Sequence, residues 1–480
     1  MGLPMSIDVL EKAFQARSIG VVGASSNPSS GGYNFTRYLI DCGYQGKIYP
    51  VNPNYDEVLG IKTYPSLKDI TGSVDYVIST VPASQVLGIL DDCSLKGVKI
   101  VHLFTARFSE TGHPEAVELE QAILKKAKSK GIRLIGPNCM GIYCPRARIS
   151  FGYDFPGEAG SVGMAFQSGG AATELVRLAA QRGIRFSKVV SYGNALDYNE
   201  ADFLDYFRQD PETKIVLMYI EGIKDGKRFL NSLRRAASDK PVVVVKGGRG
   251  ESGARAVASH TASLAGSMRI WATAISQAGA ISADSFEELI DLAVSFYFLP
   301  PVRGRRVGVV GGGGGMSVRS ADDCEEAGLD VVPLPPEIRE ELKSRGNPLW
   351  DWIGNPTDAS ITGGFGFSHI DMLQMMAAHP DFDLLIGNVS EGAPMRKEEM
   401  ISRFRAEAAG YIMVGESSPK PLLVVVGDKS PGVNDYDFWR WQELNKTRTE
   451  LIEAGIPFYP TIGRAARAAI KLLDYYSKRK

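Results

Sequence analysis

The sequence lacks the features of a secreted, membrane-spanning or disulfide-stabilised protein. Residues 1–10 have no basic start followed by a long apolar core, so we expect no secretory signal. No apolar run approaches the roughly 18 residues that a membrane-spanning helix needs. The five cysteines are scattered through 480 residues without a CxxC pair or a histidine cluster. We therefore expect free thiols, no metal site and a cytoplasmic location.

An excess of charge is also absent. The 54 Lys and Arg residues balance 55 Asp and Glu residues, which gives a net charge of −1. Proteins that bind nucleic acid or anionic membranes through charge carry a basic excess, so neither is an expected partner. A chain of 480 residues is too long for one hydrophobic core, and two to four domains are expected.

Nucleotide-binding fingerprints are missing as well. The first apolar strand, 18–23, leads into Gly23-Ala24-Ser25, which does not have the G-x-G-x-x-G spacing. The second strand, 47–51, ends at Asn52-Pro53 without the acid that would hold an NAD ribose. No Lys-Ser/Thr follows the five glycines 311–315, so they are not a P-loop. These absences disfavour an NAD-dependent oxidoreductase, although another phosphorylated nucleotide fits the first loop.

Three strand–turn–helix units are present instead. Each begins with a short apolar strand, continues through a turn of small residues and ends in an amphipathic helix, a pattern typical of doubly wound α/β domains. We place these domains at 1–148, 155–299 and 304–480. Turns of small residues at helix starts offer N–H groups to phosphate, which makes Gln167-Ser168-Gly169-Gly170 and Gly312-Gly313-Gly314 candidate phosphate sites. An ordinary helix N-cap is the alternative for the first turn.

The most unusual connection follows the apolar run 242–245. It is roughly 20 residues long, whereas α/β connections usually have about 2–6, so a functional role or disorder is indicated. His260 lies in this loop, and we interpret it as a nucleophile that is transiently phosphorylated. Glu221, at the end of the strand 214–220, could orient the imidazole. The alternatives are a surface histidine and a solvated acid; His102, at another strand end, is the second candidate histidine.

Together these motifs resemble the alpha subunit of ADP-forming acyl-CoA synthetases, which are relatives of succinyl-CoA synthetase. The first unit is similar to the family's CoA-binding domain at Gly23-Ala24-Ser25, Val51-Asn52-Pro53, Glu110 and Gly136-Pro137-Asn138-Cys139. The second is similar to its ligase domain at Gln167 to Gly170, Tyr192-Gly193-Asn194, Glu221-Gly222 and the SHTASLAG stretch around His260. The third is similar to its last domain at the glycine run and Asn355-Pro356-Thr357-Asp358.

The resemblance implies a Rossmann-like CoA-binding domain followed by two flavodoxin-like domains of the succinyl-CoA synthetase type. It implies an acid–thiol ligase that interconverts acyl-CoA, phosphate and ADP with acid, CoA and ATP through an acyl phosphate and phospho-His260. Glu221 is implied as the second catalytic residue. The implied phosphate contacts are Gln167, Ser168, Gly169, Gly170, Gly312, Gly313 and Gly314. The implied CoA contacts are Gly23, Ala24, Ser25, Val51, Asn52, Pro53, Val81, Pro82, Glu110, Asn138 and Cys139.

The family's ATP-grasp module has no counterpart among the three units. The resemblance therefore implies a separate ATP-grasp beta subunit that holds ADP or ATP with magnesium, in an α2β2 assembly. Three positions depart from the family pattern: Phe166 replaces Ser, the turn of the third domain is all glycine, and Arg107 replaces Gly beside the expected thioester site. Arg107 keeps a CoA-binding regulatory or scaffold protein without ligase activity as the alternative. The sequence does not indicate which acid is used.

Overall fold

The computed structural model describes residues 5–253, 268–362, 367–389, 395–427 and 437–479. The chain divides into two compact units, Met1–Leu289 and Ile290–Lys480. Among the helices in these ranges, none is long and apolar enough to cross a membrane. Three mainly parallel sheets with helices between their strands confirm the predicted α/β class.

The first sheet belongs to the first unit. Its strands and the helices around them are α1 (Met5–Phe14), β1 (Ser18–Val22), α2 (Gly31–Asp41), β2 (Lys47–Val51), a small hairpin of β3 (Glu57–Val58) and β4 (Ile61–Lys62), β5 (Tyr76–Ser79), α3 (Val86–Lys96), β6 (Ile100–Leu103), α4 (Pro114–Ser129) and β7 (Arg133–Ile135). The five main strands are parallel in the order β2-β1-β5-β6-β7. The order reverses between β1 and β5, which is where doubly wound sheets bind ligands.

The second sheet lies in the same unit. It is built from β8 (Gly141–Tyr143), β9 (Val162–Phe166), α5 (Gly169–Gln181), β10 (Phe186–Ser191), α6 (Glu200–Gln209), β11 (Ile215–Ile220), α7 (Gly226–Asp239), β12 (Val242–Lys246), α8 (Met268–Gln277) and β13 (Ile281–Ala283). The strand order is β13-β12-β11-β9-β10-β8, and only β8 among them pairs antiparallel to its neighbour. Because β8 falls inside 1–148, the first predicted domain contributes a strand to the second sheet. The three domain boundaries stay a prediction.

The other unit has its own sheet and core. Its elements are α9 (Phe286–Phe298, which contains the unit boundary), β14 (Val307–Val310), α10 (Gly314–Ala327), α11 (Pro336–Ser344), α12 (Ala359–Thr362), α13 (His369–Ala378), β15 (Leu384–Asn388), α14 (Lys397–Ser417), β16 (Leu422–Val425), α15 (Trp439–Glu453), β17 (Phe458–Tyr459) and α16 (Ile462–Ser477). The four strands are parallel in the order β14-β15-β16-β17. Apolar side chains such as Leu342, Leu373 and Leu385 are fully buried against them.

Candidate active site

A cavity of about 460 Å³ lies in the first unit where strand ends of its two sheets meet. Six connections supply its wall, and each begins within a few residues of the carboxyl end of a parallel strand: those after β5, β6, β7, β9, β10 and β11. The lining residues are Thr80, Phe104, Thr105, Ala106, Asn138, Cys139, Met140, Gln167, Ser168, Gly169, Gly170, Gly193, Asn194 and Glu221. Carboxyl ends of parallel strands are where open α/β sheets place their ligands, so this cavity is the candidate active site.

The N-terminus of α5 opens into this cavity. Ser168 is the N-cap, and its hydroxyl accepts a hydrogen bond from the Ala171 N–H at 3.3 Å. A Cβ on Gly170 would meet nothing within 4 Å, whereas a Cβ on Gly169 would lie 2.7 Å from Cγ of Met140. The N-cap that the sequence offered as the alternative is therefore present, and the open space beside Gly170 leaves room for an anion at the positive end of the helix.

Gln167 holds the two neighbouring strand ends together. Its side-chain oxygen accepts hydrogen bonds from the N–H groups of Glu221 and Gly222, and its amide nitrogen donates to the Gly222 carbonyl at 3.1 Å. These bonds join the turn after β9 to the turn after β11. Within the contacts described, Gln167 thus positions Glu221, and its own phosphate contact stays a prediction.

Glu221 is a buried acid in the cavity wall. It is only 6% exposed and follows β11 directly. Burial and, after it, the nearby Glu221 carboxylate raise the pKa of the Tyr219 hydroxyl. The ammonium group of Lys246, at the end of the adjacent strand β12, donates to the Glu221 carbonyl at 2.6 Å. A buried carboxylate whose backbone is fixed on both sides in this way can accept a proton or orient a partner.

His260 lies outside the described residues. The structure does place both flanks of its loop: β12 ends at Lys246, and α8 begins at Met268. Because β12 pairs with β11, the loop starts at the same sheet edge as Glu221. The role of His260 stays a prediction.

The predicted CoA contacts follow the carboxyl edge of the first sheet. The Gly23 N–H donates to the Val51 carbonyl at 2.9 Å, and the Asn52 side chain donates to the Ala24 carbonyl at 2.7 Å. Gly23 has a φ of +89°, and its carbonyl oxygen lies 2.0 Å from where a Cβ on Gly32 would be. The first turn of α2 therefore packs directly on the turn after β1, an approach that only glycine permits.

The cavity wall contains some of the predicted site residues and not others. It includes Asn138, Cys139, Gln167, Ser168, Gly169, Gly170 and Glu221. The other predicted CoA residues lie outside this wall, at the end of β2 and along the loops after β1, β2, β5 and β6: Gly23, Ala24, Ser25, Val51, Asn52, Pro53, Val81, Pro82 and Glu110. Sequence reasoning did not single out Thr80, Phe104 or Met140 as site residues, although each closely follows a strand and that position was the available signal.

Glu110 joins two of the loops that line the cavity. Its carboxylate accepts hydrogen bonds from the Arg107 and Phe108 N–H groups and from the side-chain amide of Asn194 at 2.6 Å. The loop after β6 is thereby tied to the turn after β10. Arg107 has a φ of +81°, and its side chain is exposed and does not line the cavity. The expectation of a bulky cation beside the thioester site stays a prediction.

His102 is a structural histidine. It is fully buried, and its Nε2 donates to the Cys139 carbonyl at 2.9 Å. Burial lowers the pKa of His102 to about 4, so the ring is neutral near pH 7. Burial also raises the pKa of the Cys139 thiol. Neither group is a ready nucleophile or acid, and His102 instead supports the turn 136–140.

The glycine turn of the other unit is packed differently. Gly311 has a φ of +97°, and a Cβ there would lie 2.1 Å from the Asn388 carbonyl oxygen of β15. Helix α10 begins at Gly314, whose Cβ position would be 3.1 Å from a carboxylate oxygen of Asp358. The close approach here is to protein backbone, and phosphate binding by Gly312, Gly313 and Gly314 stays a prediction.

The part of the chain described contains no group of three His, Cys, Asp or Glu residues that could hold a metal ion. All five cysteines are unpaired.

Comparison with known proteins identifies the class of ligase. A CoA binding domain matches residues 17–145, and a succinyl-CoA ligase like flavodoxin domain matches residues 159–296. These two domains, joined around one cavity, define an acid–thiol ligase of the succinyl-CoA synthetase type. The chain belongs to the family of ADP-forming acetate–CoA ligase alpha subunits, which confirms the resemblance predicted from its motifs.

The relatives match most of the chain. The alpha subunit of the ADP-forming acetate–CoA ligase I of Pyrococcus furiosus is 34% identical over 475 residues, which cover 97% of each chain. The alpha subunit of ligase II of the same organism is 38% identical over 379 residues, 79% of this chain and 82% of its own. A solved structure of the Ca. Korarchaeum cryptofilum dinucleotide forming acetyl-coenzyme A synthetase 1, in complex with phosphate and ADP, is similar with a TM-score of 0.81 and 32% identity, covering 98% of this chain and 97% of that one.

Proposed function

We propose that this chain carries out the acyl-transfer and phosphoryl-relay steps of the reaction acyl-CoA + phosphate + ADP ⇌ acid + CoA + ATP. One observation carries the proposal: six strand ends converge on a single cavity that contains both the N-terminus of α5 and the buried carboxylate of Glu221. The first feature suits a phosphate and the second suits an imidazole. Relatives named as ADP-forming acetate–CoA ligases support the same reaction.

The first step joins phosphate to the acyl group. CoA is proposed to lie along the first sheet, in contact with the residues predicted for it. Phosphate is proposed to bind the turn Ser168-Gly169-Gly170, where the end of a helix contributes about 0.3–2 kcal/mol to binding an anion. A phosphate oxygen attacks the thioester carbonyl, the C–S bond breaks, and CoA leaves as the thiol. The product is an acyl phosphate.

The second step moves the phosphoryl group to the protein. A ring nitrogen of His260 attacks the acyl phosphate, the P–O bond breaks, and the acid leaves. The Glu221 carboxylate is proposed to accept the other ring N–H, which fixes the tautomer and balances the charge that develops on the ring. Phosphoryl transfer depends mainly on positioning and charge stabilisation, and a buried, hydrogen-bonded acid supplies both.

The last step needs a partner. We propose an ATP-grasp beta subunit, in an α2β2 assembly, that holds ADP with magnesium and receives the phosphoryl group from His260. A second phosphate contact at Gly312, Gly313 and Gly314 is proposed on the glycine run and the start of α10. The relatives' description as alpha subunits supports a partner subunit of this kind.

Labelling tests the relay directly. The purified chain is mixed with radiolabelled phosphate and acetyl-CoA, and incorporation of label that is acid-labile and base-stable is expected. His260→Ala should abolish this label while CoA still binds, and His113→Ala, which changes an exposed histidine, should retain it. Glu221→Gln should lower labelling much more than thermal stability. Label that survives in His260→Ala would contradict the relay, and CoA binding without any label in the natural sequence would favour the scaffold alternative.

A further inference from the structure

Lys246 is a buried cation at the start of the long loop. It is the last residue of β12, is only 7% exposed and pairs in register with Ile220, the residue before Glu221. Its ammonium group donates to the carbonyl oxygens of Glu221 and Gly247, both at 2.6 Å. It also lies 5.8 Å from the centre of the Trp271 ring, within the range of a cation–π contact.

These contacts bring three functional segments together. Glu221 lines the cavity, Gly247 is the first residue after β12, and Trp271 is in α8, the first helix after the loop. Gly247 is itself confined, because a Cβ there would lie 2.4 Å from the Tyr219 hydroxyl and 3.0 Å from Cγ of Glu221. Lys246 therefore fixes the position at which the chain leaves the sheet, directly against the Glu221 side chain.

Lys246 differs from the other buried lysine of this sheet. Lys188 is 3% exposed, but its ammonium lies 2.8 Å from Asp210 and 3.0 Å from Glu212. Burial lowers the pKa of Lys188, but these ion pairs outweigh burial and raise the pKa overall. Burial lowers the pKa of Lys246, and the nearby charge of Glu221 offsets this lowering only in part. Within the described ranges, no carboxylate forms an ion pair with Lys246. A buried cation that only neutral groups contact is costly for stability alone.

We propose that Lys246 is a positioning residue for phosphoryl transfer. Its ammonium group holds the Glu221 peptide and the start of the loop in one arrangement, and its charge offsets part of the negative charge of the Glu221 carboxylate. This inference rests on the proposed relay and adds a residue to it. The proposed role affects the two chemical steps differently, because Lys246 does not line the cavity in which the thioester is proposed to be cleaved.

Lys240 offers a matched control near the other end of the same strand. It lies just before β12, at the opposite end from the cavity, and its ammonium also donates to two carbonyl oxygens, those of Phe207 at 2.5 Å and Asp210 at 2.6 Å. Lys240→Met and Lys246→Met thus each remove an ammonium group that donates to two backbone carbonyl oxygens. Lys246→Arg keeps the charge with altered geometry, and Lys246→Gln serves as the second uncharged variant if Lys246→Met does not fold.

Two assays separate the steps. Arsenate in place of phosphate cleaves acyl-CoA to CoA and an acyl arsenate that hydrolyses, so thiol release reports the first step without His260. Label from radioactive phosphate reports the second. We expect Lys246→Met to lower the labelling rate by about tenfold or more while KM and kcat of arsenolysis change less than about threefold. Lys240→Met should change neither, and Lys246→Arg should label at an intermediate rate.

Two results would overturn the role of Lys246 alone: an equal loss in both steps for Lys246→Met, or an equal loss of labelling in Lys240→Met. Absence of both arsenolysis and labelling in the natural sequence would instead overturn the proposed function, and this inference with it. Arsenolysis without labelling in every variant would refute the relay and leave only the first step.

Discussion

Replacing Glu110 by glutamine should loosen the loop after β6 and weaken CoA binding. The carboxylate of Glu110 accepts hydrogen bonds from the N–H groups of Arg107 and Phe108 and from the Asn194 side chain. Arg107 donates to one carboxylate oxygen, whereas Phe108 and Asn194 donate to the other. Glutamine offers a single oxygen, and its NH2 group would face a donor on whichever side it takes. Glutamine therefore loses either the bond from Arg107 or the bonds from both Phe108 and Asn194, and the bonds that remain are weaker because the acceptor is neutral.

The size of the effect follows from these three bonds. A hydrogen bond to a charged group contributes about 1.5–3 kcal/mol and a neutral one about 0.5–1.5 kcal/mol. Losing one or two charged bonds and weakening the rest removes about 4–7 kcal/mol before water replaces part of it at this half-exposed site. A net loss of about 1–2 kcal/mol in the ordering of the loop corresponds to roughly a 5- to 30-fold increase in the Kd for CoA.

We call the three hydrogen bonds that Glu110 accepts the clasp. A double-mutant cycle distinguishes an effect of the clasp on the loop from a direct contact between Glu110 and CoA. CoA is titrated calorimetrically into the natural sequence, Glu110→Gln, Asn194→Ala and the double variant, with Glu115→Gln as the exposed control. If the clasp orders the loop, the two single changes are coupled by about 1–2 kcal/mol. If the effects add to within about 0.5 kcal/mol, the clasp is refuted and Glu110 acts on CoA by itself.

Two further predictions concern Arg107 and Glu200. Arg107→Gly removes a left-handed backbone cost of about 1 kcal/mol but adds about 0.5–1 kcal/mol of unfolded-state entropy, so the Tm should barely move. Because Arg107 does not line the cavity, the KM for acyl-CoA should also stay constant. A change in KM above about threefold would show that Arg107 contributes to the binding of acyl-CoA. Burial raises the pKa of Glu200 from 4.5 to about 7, so the folded state keeps a proton that the unfolded state loses, and stability falls as pH rises from about 4.5 to about 7. Glu200→Gln should abolish this fall, which is at most about 3 kcal/mol, and parallel Tm curves of both proteins between pH 5 and 8 would contradict it.

Local signals in the sequence predicted the strands and turns well. β10 and β14 begin and end at the residues that their apolar runs indicated, Phe186–Ser191 and Val307–Val310. The small-residue turn before α5 and the acid after β11 were also located correctly. These features are readable because strand length, glycine position and helix capping depend on neighbouring residues.

Contacts between distant residues could not be predicted in the same way. Glu110 and Asn194 are 84 positions apart, and each belongs to a loop whose own residues give no reason for them to meet. The same holds for β8, whose three residues join the second sheet only because β10 presents a free edge there. The wall of the cavity is assembled through such contacts. The sequence therefore predicted the individual loops but not which of them come together.

The two glycine turns that look alike in the sequence illustrate what decides anion binding. Both precede a helix N-terminus, which carries a partial positive charge. At α5 the space over Gly170 is open and belongs to the cavity, whereas at α10 a carboxylate of Asp358 already lies beside Gly314. A phosphate dianion at α10 would be repelled by that acid unless a cation compensated it. The turn of α5 is therefore the stronger candidate of the two proposed phosphate sites, for a reason that lies in what surrounds each helix and not in the glycines themselves.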